Sequence, residues 1–533
     1  MNTNHRGMLL RGGPIHTMVP GRPAVEVLAV KDGRVVAAGR AGEAAAALGA
    51  PHRVVELGGR CVLPAFTDCH THFASFASGL AGLRLENCEG PEEVGLEVVR
   101  AAAAIPPGRW VTGGGWDSGR WAAGRSPHRR YLDMAAPAHP VALASRDGHG
   151  LWVNCLALQM AGITAGTPDP PGGRIVREAG GEPTGLLLEK ATAAVSDLLP
   201  PPEPGDLAAL LRRGIEIAHR LGLAGIHVAE GRDTFRAFQL LRRRGELTLR
   251  VSMMVPEHRL GEAAALGLET GLGDDWLRVS NLKLFLDGSL GQRTADMLEP
   301  YGGETTYRGV AVLGRADLSV LVGRAITAGW PCAVHAIGDK ANRVALDVFA
   351  EHLNATRRAG LRHRVEHAQC VHPADIPRFA RLGVVASVQP LHATSDRYLA
   401  DRHWGARARW AYPFRSLLRA GAVLAMGSDV PVEPMDPLRG IYAAVTRCRE
   451  DEPGKEPWYP EETLTVREAV EGYTRGAAWA AGEEGRRGSL FPGALADFVV
   501  LSEDILTGPP ERILAARVDA TVVGGRLVHG VLH

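Results

Sequence analysis

The chain has 533 residues, more than one ordinary domain holds, and its 45% hydrophobic and 22% charged residues are the profile of a globular protein. Its 60 Lys and Arg balance 59 Asp and Glu, which argues against a nucleic-acid partner or an anionic membrane surface. No apolar run approaches the ~20 residues that cross a bilayer, and cysteines 61, 69, 88, 155, 332, 370 and 448 form no CxxC pair, against a disulfide scaffold or a thiolate zinc site.

The opening stretch, MNTNHRGMLLRGGPIHTM, has no sustained apolar core followed by a small-residue cleavage site, so a cytoplasmic location is expected. Residues 1–62 alternate β-type runs and turns: AVEVLAV and RVVAAG flank KDG, and RVVEL precedes GGR. Residues 488–533 read the same way, through ADFVVLS and DATVVGGRLVHG. The two β-rich ends are expected to pair into one composite β-sandwich domain, because chain ends often lie close together.

Residues 63–487 form the centre, and VLPAFTDCHTH is its first strand. Residues from about 75 to 200 are rich in Gly, Pro and Trp and break the pattern, so they read as an insertion. Its segments GGGWDSGRW and SRDGHGLWVN are expected to be loop-borne recognition elements. From about residue 206, strands alternate with helices of 10–15 residues. The strands are AGIHVAEG, LTLRVSMMV, RVSNLKLFL, PCAVHAIG, RHRVEHA, VVASVQP and AVLAMGSD. With the first they make eight parallel strands of a TIM-like (β/α)8 barrel in an α/β protein.

The polar residues fall at the ends of these strands, where such barrels place their active sites. His70 and His72 are two apart, so on a strand both imidazoles face one way and can grip one ion. His335 and His367 end strands one βα unit apart, and Asp429 ends the eighth. Each alone has a plain reading: a capped turn for the HxH, a core histidine for His335 or His367, an N-cap for Asp429. Together they read as a metal site. Lys283 is different, because an ammonium repels a cation; alone it reads as a partner for Asp287.

The pattern HxH, Lys, His, His and Asp on strands one, four, five, six and eight resembles the amidohydrolase superfamily. The likeness runs from VLPAFTDCHTHF to PGALADFVVL. The segments KLFLDGSLGQRTA, DGHGLWVN, HAIGDKAN and GSDVPVEPMDP resemble its YtcJ-like branch, the amidohydrolase-3 family. The resemblance implies a metal site of His70, His72, Lys283, His335, His367 and Asp429. Lys283 would be a bridging carbamate made with carbon dioxide, and Asp429 the base. One or two divalent ions, zinc first, are expected.

The activity implied is hydrolysis of a non-peptide C–N bond, as in N-substituted formamide deformylase. A metal-dependent esterase, lactonase or phosphoesterase on the same barrel, and a non-catalytic ligand-binding or regulatory homologue, are the alternatives. His367 or His149 would help stabilise the oxyanion. Trp116, His149, Trp152, Asn154, Arg293 and Gln389 are the expected substrate contacts, and Trp110 and Trp121 are expected to be structural. The partner is a small molecule, and a homodimer is the base-rate expectation.

Overall fold

A computed structural model describes residues 7–49, 51–122, 125–200, 203–452 and 455–532. Eight strands form one parallel sheet in the order of the chain. They are Phe66–Thr71, Leu223–Val228, Arg250–Pro256, Leu277–Phe285, Cys332–Ala336, Arg364–His367, Val385–Val388 and Leu424–Met426. The seam closes just beyond the eighth strand. There the His72 N–H donates to the Val430 carbonyl at 2.8 Å, and the Asp429 N–H to that of His70 at 2.8 Å. All eight expected strands are present. Their apolar residues join the surrounding helices in the largest buried cluster, which includes Phe66, Leu223, Val251, Leu284, Val334 and Met426. Parallel strands buried on both faces need such continuous Val, Ile and Leu runs.

The chain ends form a second, eight-stranded sheet. Cys61–Pro64 pairs antiparallel with Phe498–Leu501, which joins the N-terminal strands to the C-terminal ones. The strands of both ends are hydrogen-bonded into this sheet around a shared cluster that includes Leu10, Leu28, Val62, Phe498 and Val522.

The segment after the first barrel strand departs from its expected loop character. Six strands between Leu83 and Glu189 form a third sheet with its own apolar clusters. GGGW lies within strand Val111–Trp116, and GLWV is strand Gly150–Val153. Glycines hid the first strand from a hydrophobicity pattern. A Cβ on Gly113 would sit 2.4 Å from the Leu83 carbonyl oxygen, so close strand packing requires glycine there.

Candidate metal centre

The first barrel strand delivers His70, and His72 follows its end. Both face one carboxylate. Asp429 Oδ1 lies 3.6 Å from His70 Nε2 and 3.4 Å from His72 Nε2. The His367 ring is centred 5.0 Å from that of His70 and 4.5 Å from that of His335. His367 and Asp429 have left-handed backbones, φ 71° and 62°, which end the regular strand geometry at the mouth. Such conformations are uncommon outside glycine, with His and Asp among the residues that adopt them most readily.

The ring nitrogens are assigned by their partners. The His70 Nδ1–H donates to Glu366, and that of His367 to Gln389 Oε1 at 2.9 Å, leaving Nε2 of each free. Gln389 is oriented in turn by donating to the Ser387 carbonyl at 3.4 Å. Burial, reinforced by Lys283, lowers His70 to about 4. Burial likewise holds His72, His335 and His367 well below the usual histidine range, with His70, His149 and His335 respectively as the next cause. Neutral imidazole is the form that binds metal.

Lys283 is 4% exposed, and its Nζ has no hydrogen-bond partner. The Asp287 partnership is not formed. Asp287 instead accepts from the backbone N–H groups of Asp296, Ile337 and Gly338 at 2.9, 3.0 and 2.7 Å. Burial lowers the Lys283 amine and raises the Asp429 carboxyl. Asp429 Oδ1 is also buried without a hydrogen bond. An orphaned amine, an orphaned carboxylate oxygen and several free imidazole nitrogens suit a divalent ion, so the residues fit the metal that the sequence pattern implies.

A cavity of about 630 Å³ opens beside this group and is lined by His149, His335, His367, His392 and Asp429 among others. His149 is held from behind: Glu189 Oε2 accepts from its Nδ1 at 2.8 Å, and Glu189 Oε1 accepts from the Thr294 hydroxyl at 2.6 Å. Burial opposes the charge on His149, but Glu189 outweighs it and, with Asp147, pushes the group up to about 9. Glu189 thus favours the protonated form of His149 at the edge of the centre.

The expected substrate contacts divide. Trp116 and His149 line the cavity. Trp152 does not. It is fully buried in a cluster with Trp116 and Trp121, whose ring centres lie 6.1 and 6.0 Å away. Asn154 caps helix Cys155–Met160 by accepting from the Ala157 N–H at 3.1 Å, and donates to the His139 carbonyl at 2.8 Å. Arg293 pairs with Glu304 at 2.6 Å, away from the cavity lining. Gln389 orients His367 and does not reach the cavity wall. Polarity near a strand end does not by itself distinguish a cap or a buried support, such as Asn154 or Gln389, from a residue that lines the cavity.

Three residues went unread in the sequence. Glu366 is fully buried and holds His70, Arg364 and the Ser387 hydroxyl, so it orients a ligand from behind. Arg364 also donates to His227 Nδ1 and the Cys69 carbonyl. The alternation of Arg364 and Glu366 in RHRVEHA was the available signal. His392, on helix Pro390–Ser395, brings Nε2 to 3.9 Å from Asp429 Oδ2.

The barrel and this donor set define a metal-dependent hydrolase. A family model described as Amidohydrolase family matches residues 53–529, and the chain belongs to that family. It is 32% identical to Protein LONG AFTER FAR-RED 3 of Arabidopsis thaliana, over 98% of this chain and 91% of that one. It is 31% identical to the putative amidohydrolase YtcJ of Bacillus subtilis, over 97% and 98% of the chains. It is 28% identical to N-substituted formamide deformylase of Arthrobacter pascens, over 98% of each. Among solved structures, an uncharacterized metal-dependent hydrolase of Pyrococcus horikoshii superposes with a TM-score of 0.76 at 29% identity, covering 95% of this chain and 99% of that one.

Proposed function

We propose that the chain hydrolyses a non-peptide C–N bond, of amide or formamide type, in a small molecule. The observation that carries this reading is the gathering of His70, His72, His335, His367, Asp429 and an uncompensated buried Lys283 at one mouth of the barrel, beside an open cavity. These six residues would hold one or two divalent ions, zinc first, with Lys283 carboxylated by carbon dioxide. Bound there, such an ion would lower the pKa of water toward neutrality and polarise the substrate carbonyl.

The remaining work falls to the chain's own groups. Asp429 takes a proton from the attacking water and returns it to the departing nitrogen. Its raised affinity for protons suits both halves of that transfer. His149, kept cationic by Glu189, donates to the oxygen on which negative charge develops. Glu366 and Gln389 hold the rings of His70 and His367 in one tautomer. The full-length likeness to N-substituted formamide deformylase supports a C–N bond as the target.

Metal analysis of wild type beside Lys283→Ala, with and without bicarbonate during expression, tests the centre. Content near two ions per chain that falls in the variant supports the bridging carbamate of a two-metal site. Equal content in both would make Lys283 structural, and no metal in either would overturn the catalytic reading. A panel of formamides, acyl amines and cyclic amides, run beside esters, lactones and phosphoesters, tests the bond. Turnover confined to the oxygen esters would overturn the C–N assignment.

A further inference from the structure

The wall of the cavity beyond His392 carries a carboxylate for which the hydrolytic step has no use. Asp396 follows helix Pro390–Ser395, and its N–H donates to the His392 carbonyl at 2.9 Å. It therefore stands one helical turn, ~6 Å, along the axis from His392. One oxygen is anchored: Oδ2 accepts from the Tyr412 hydroxyl at 2.6 Å and from Gln369 Nε2 at 3.2 Å. No donor among the described residues bonds to Oδ1, and Asp396 lines the cavity.

The surrounding charges do not compensate it. Arg146 is the guanidinium whose charge acts on Asp396, and it is already shared by Glu433 at 2.7 Å and Asp117 at 3.6 Å. Arg439 pairs with Glu450 and Arg449 with Asp451, each at 2.6 Å, and the remaining cavity arginine, Arg402, stands on the exposed side of helix Arg397–Trp404. Three carboxylates around one guanidinium leave this end of the cavity negative, while Leu391 and Leu399 keep part of its wall apolar. A carboxylate held on one oxygen and open on the other is a built acceptor.

We propose that Asp396 is a substrate-recognition residue, and that the substrate is a small amide whose far end carries a cationic nitrogen, an ammonium or guanidinium. This rests on the amidohydrolase reading above. Burial, with Glu433 and Asp117 nearby, raises the Asp396 carboxyl to about 7 despite the Tyr412 hydrogen bond and Arg146. Asp396 is partly exposed on the cavity wall, so Oδ1 is open to a cationic group that enters the cavity.

The test compares acyl alkylamines ending in an ammonium group with ones of equal length ending in methyl, on metal-loaded wild type and Asp396→Asn. Wild type is expected to favour the ammonium series in kcat/KM by about 10-fold or more, the worth of one charged hydrogen bond. In Asp396→Asn that ratio collapses toward unity, with metal content and near-ultraviolet circular dichroism confirming the fold. No preference in wild type, or a preference the variant keeps, would overturn the proposal. Calorimetry of alkylammonium ions against alcohols of equal length on metal-loaded wild type decides the matter without a variant. Tighter ammonium binding supports the site, and equal or absent binding overturns it. If no amide of either series turns over, the amidohydrolase reading fails while the calorimetry still decides the subsite.

Discussion

At Asp429, burial works against the ionised carboxylate, and two imidazole nitrogens within 3.6 Å and the buried Lys283 work around it. In the proposed mechanism the side chain is both a ligand and a proton carrier, and the two roles separate by substitution. Asp429→Asn keeps the shape and an oxygen ligand but loses the base. We expect kcat to fall about 100-fold or more from the base role alone. Steady-state kinetics beside metal analysis checks this, and near-normal turnover at full metal content would refute the role. His149 and Glu189 show why a residue is read with its support. The histidine motif was visible in DGHGLWVN, but its charge comes from a glutamate 40 residues later in the chain.

At the scale of elements, the strand ends carry chemistry and the strand bases carry stability. His363 stands just before the sixth barrel strand, at the end away from the metal centre. Its Nδ1 accepts from the Cys332 N–H at 3.0 Å, its Nε2 pairs with the Thr356 hydroxyl at 3.0 Å, and its ring stacks on Phe349 at 4.5 Å. The bond from Cys332 requires a neutral ring, and burial lowers His363 to about 3. The unfolded chain takes up this proton below about 6.5, whereas the folded chain does so only near 3. The stabilisation is thus fully present above about 6.5 and is lost as pH falls toward 3, at up to about 1.4 kcal/mol per pH unit. Urea unfolding of wild type and His363→Gln between about pH 7 and 5 measures it. The gap between the two should narrow on acidification, and a constant gap would contradict the assignment.

At the scale of the whole molecule, the barrel and the terminal sheet are joined by a buried ion pair. Arg250 of the third barrel strand donates through Nε and Nη2 to Asp497 at 2.5 and 2.7 Å, one residue before strand Phe498–Leu501. Asp497 also accepts from the Gly524 N–H at 2.7 Å, and Arg250 reaches the Asp275 carbonyl at 2.7 Å. Removing one partner strands a buried charge. Asp497→Ala should lower the unfolding free energy by about 3–5 kcal/mol. The double variant with Arg250→Ala should cost less than the sum of the singles, because neighbours in one network are not additive. Denaturant unfolding of the four proteins checks both statements.

The eight barrel strands, the parallel order and the polar residues at their ends were legible in the chain, because each depends on local pattern: short continuous apolar runs for the buried strands, a period of 3.6 for the helices between them, and a polar break where the strand ends. The third sheet was not legible. Its strand Val111–Trp116 is built on glycine, and glycine positions reflect backbone approach between segments that sequence spacing does not reveal. The supporting residues were hidden for a related reason. Glu366 meets His70 across 296 residues of chain, and Gln389 and Asn154 are polar groups satisfied inside the fold. Sequence alone determined which residue types stand at the barrel mouth. Only the tertiary structure decided which polar residues face the cavity and which hold others in place, because burial and hydrogen-bond partners are properties of packed neighbours and not of position along the chain.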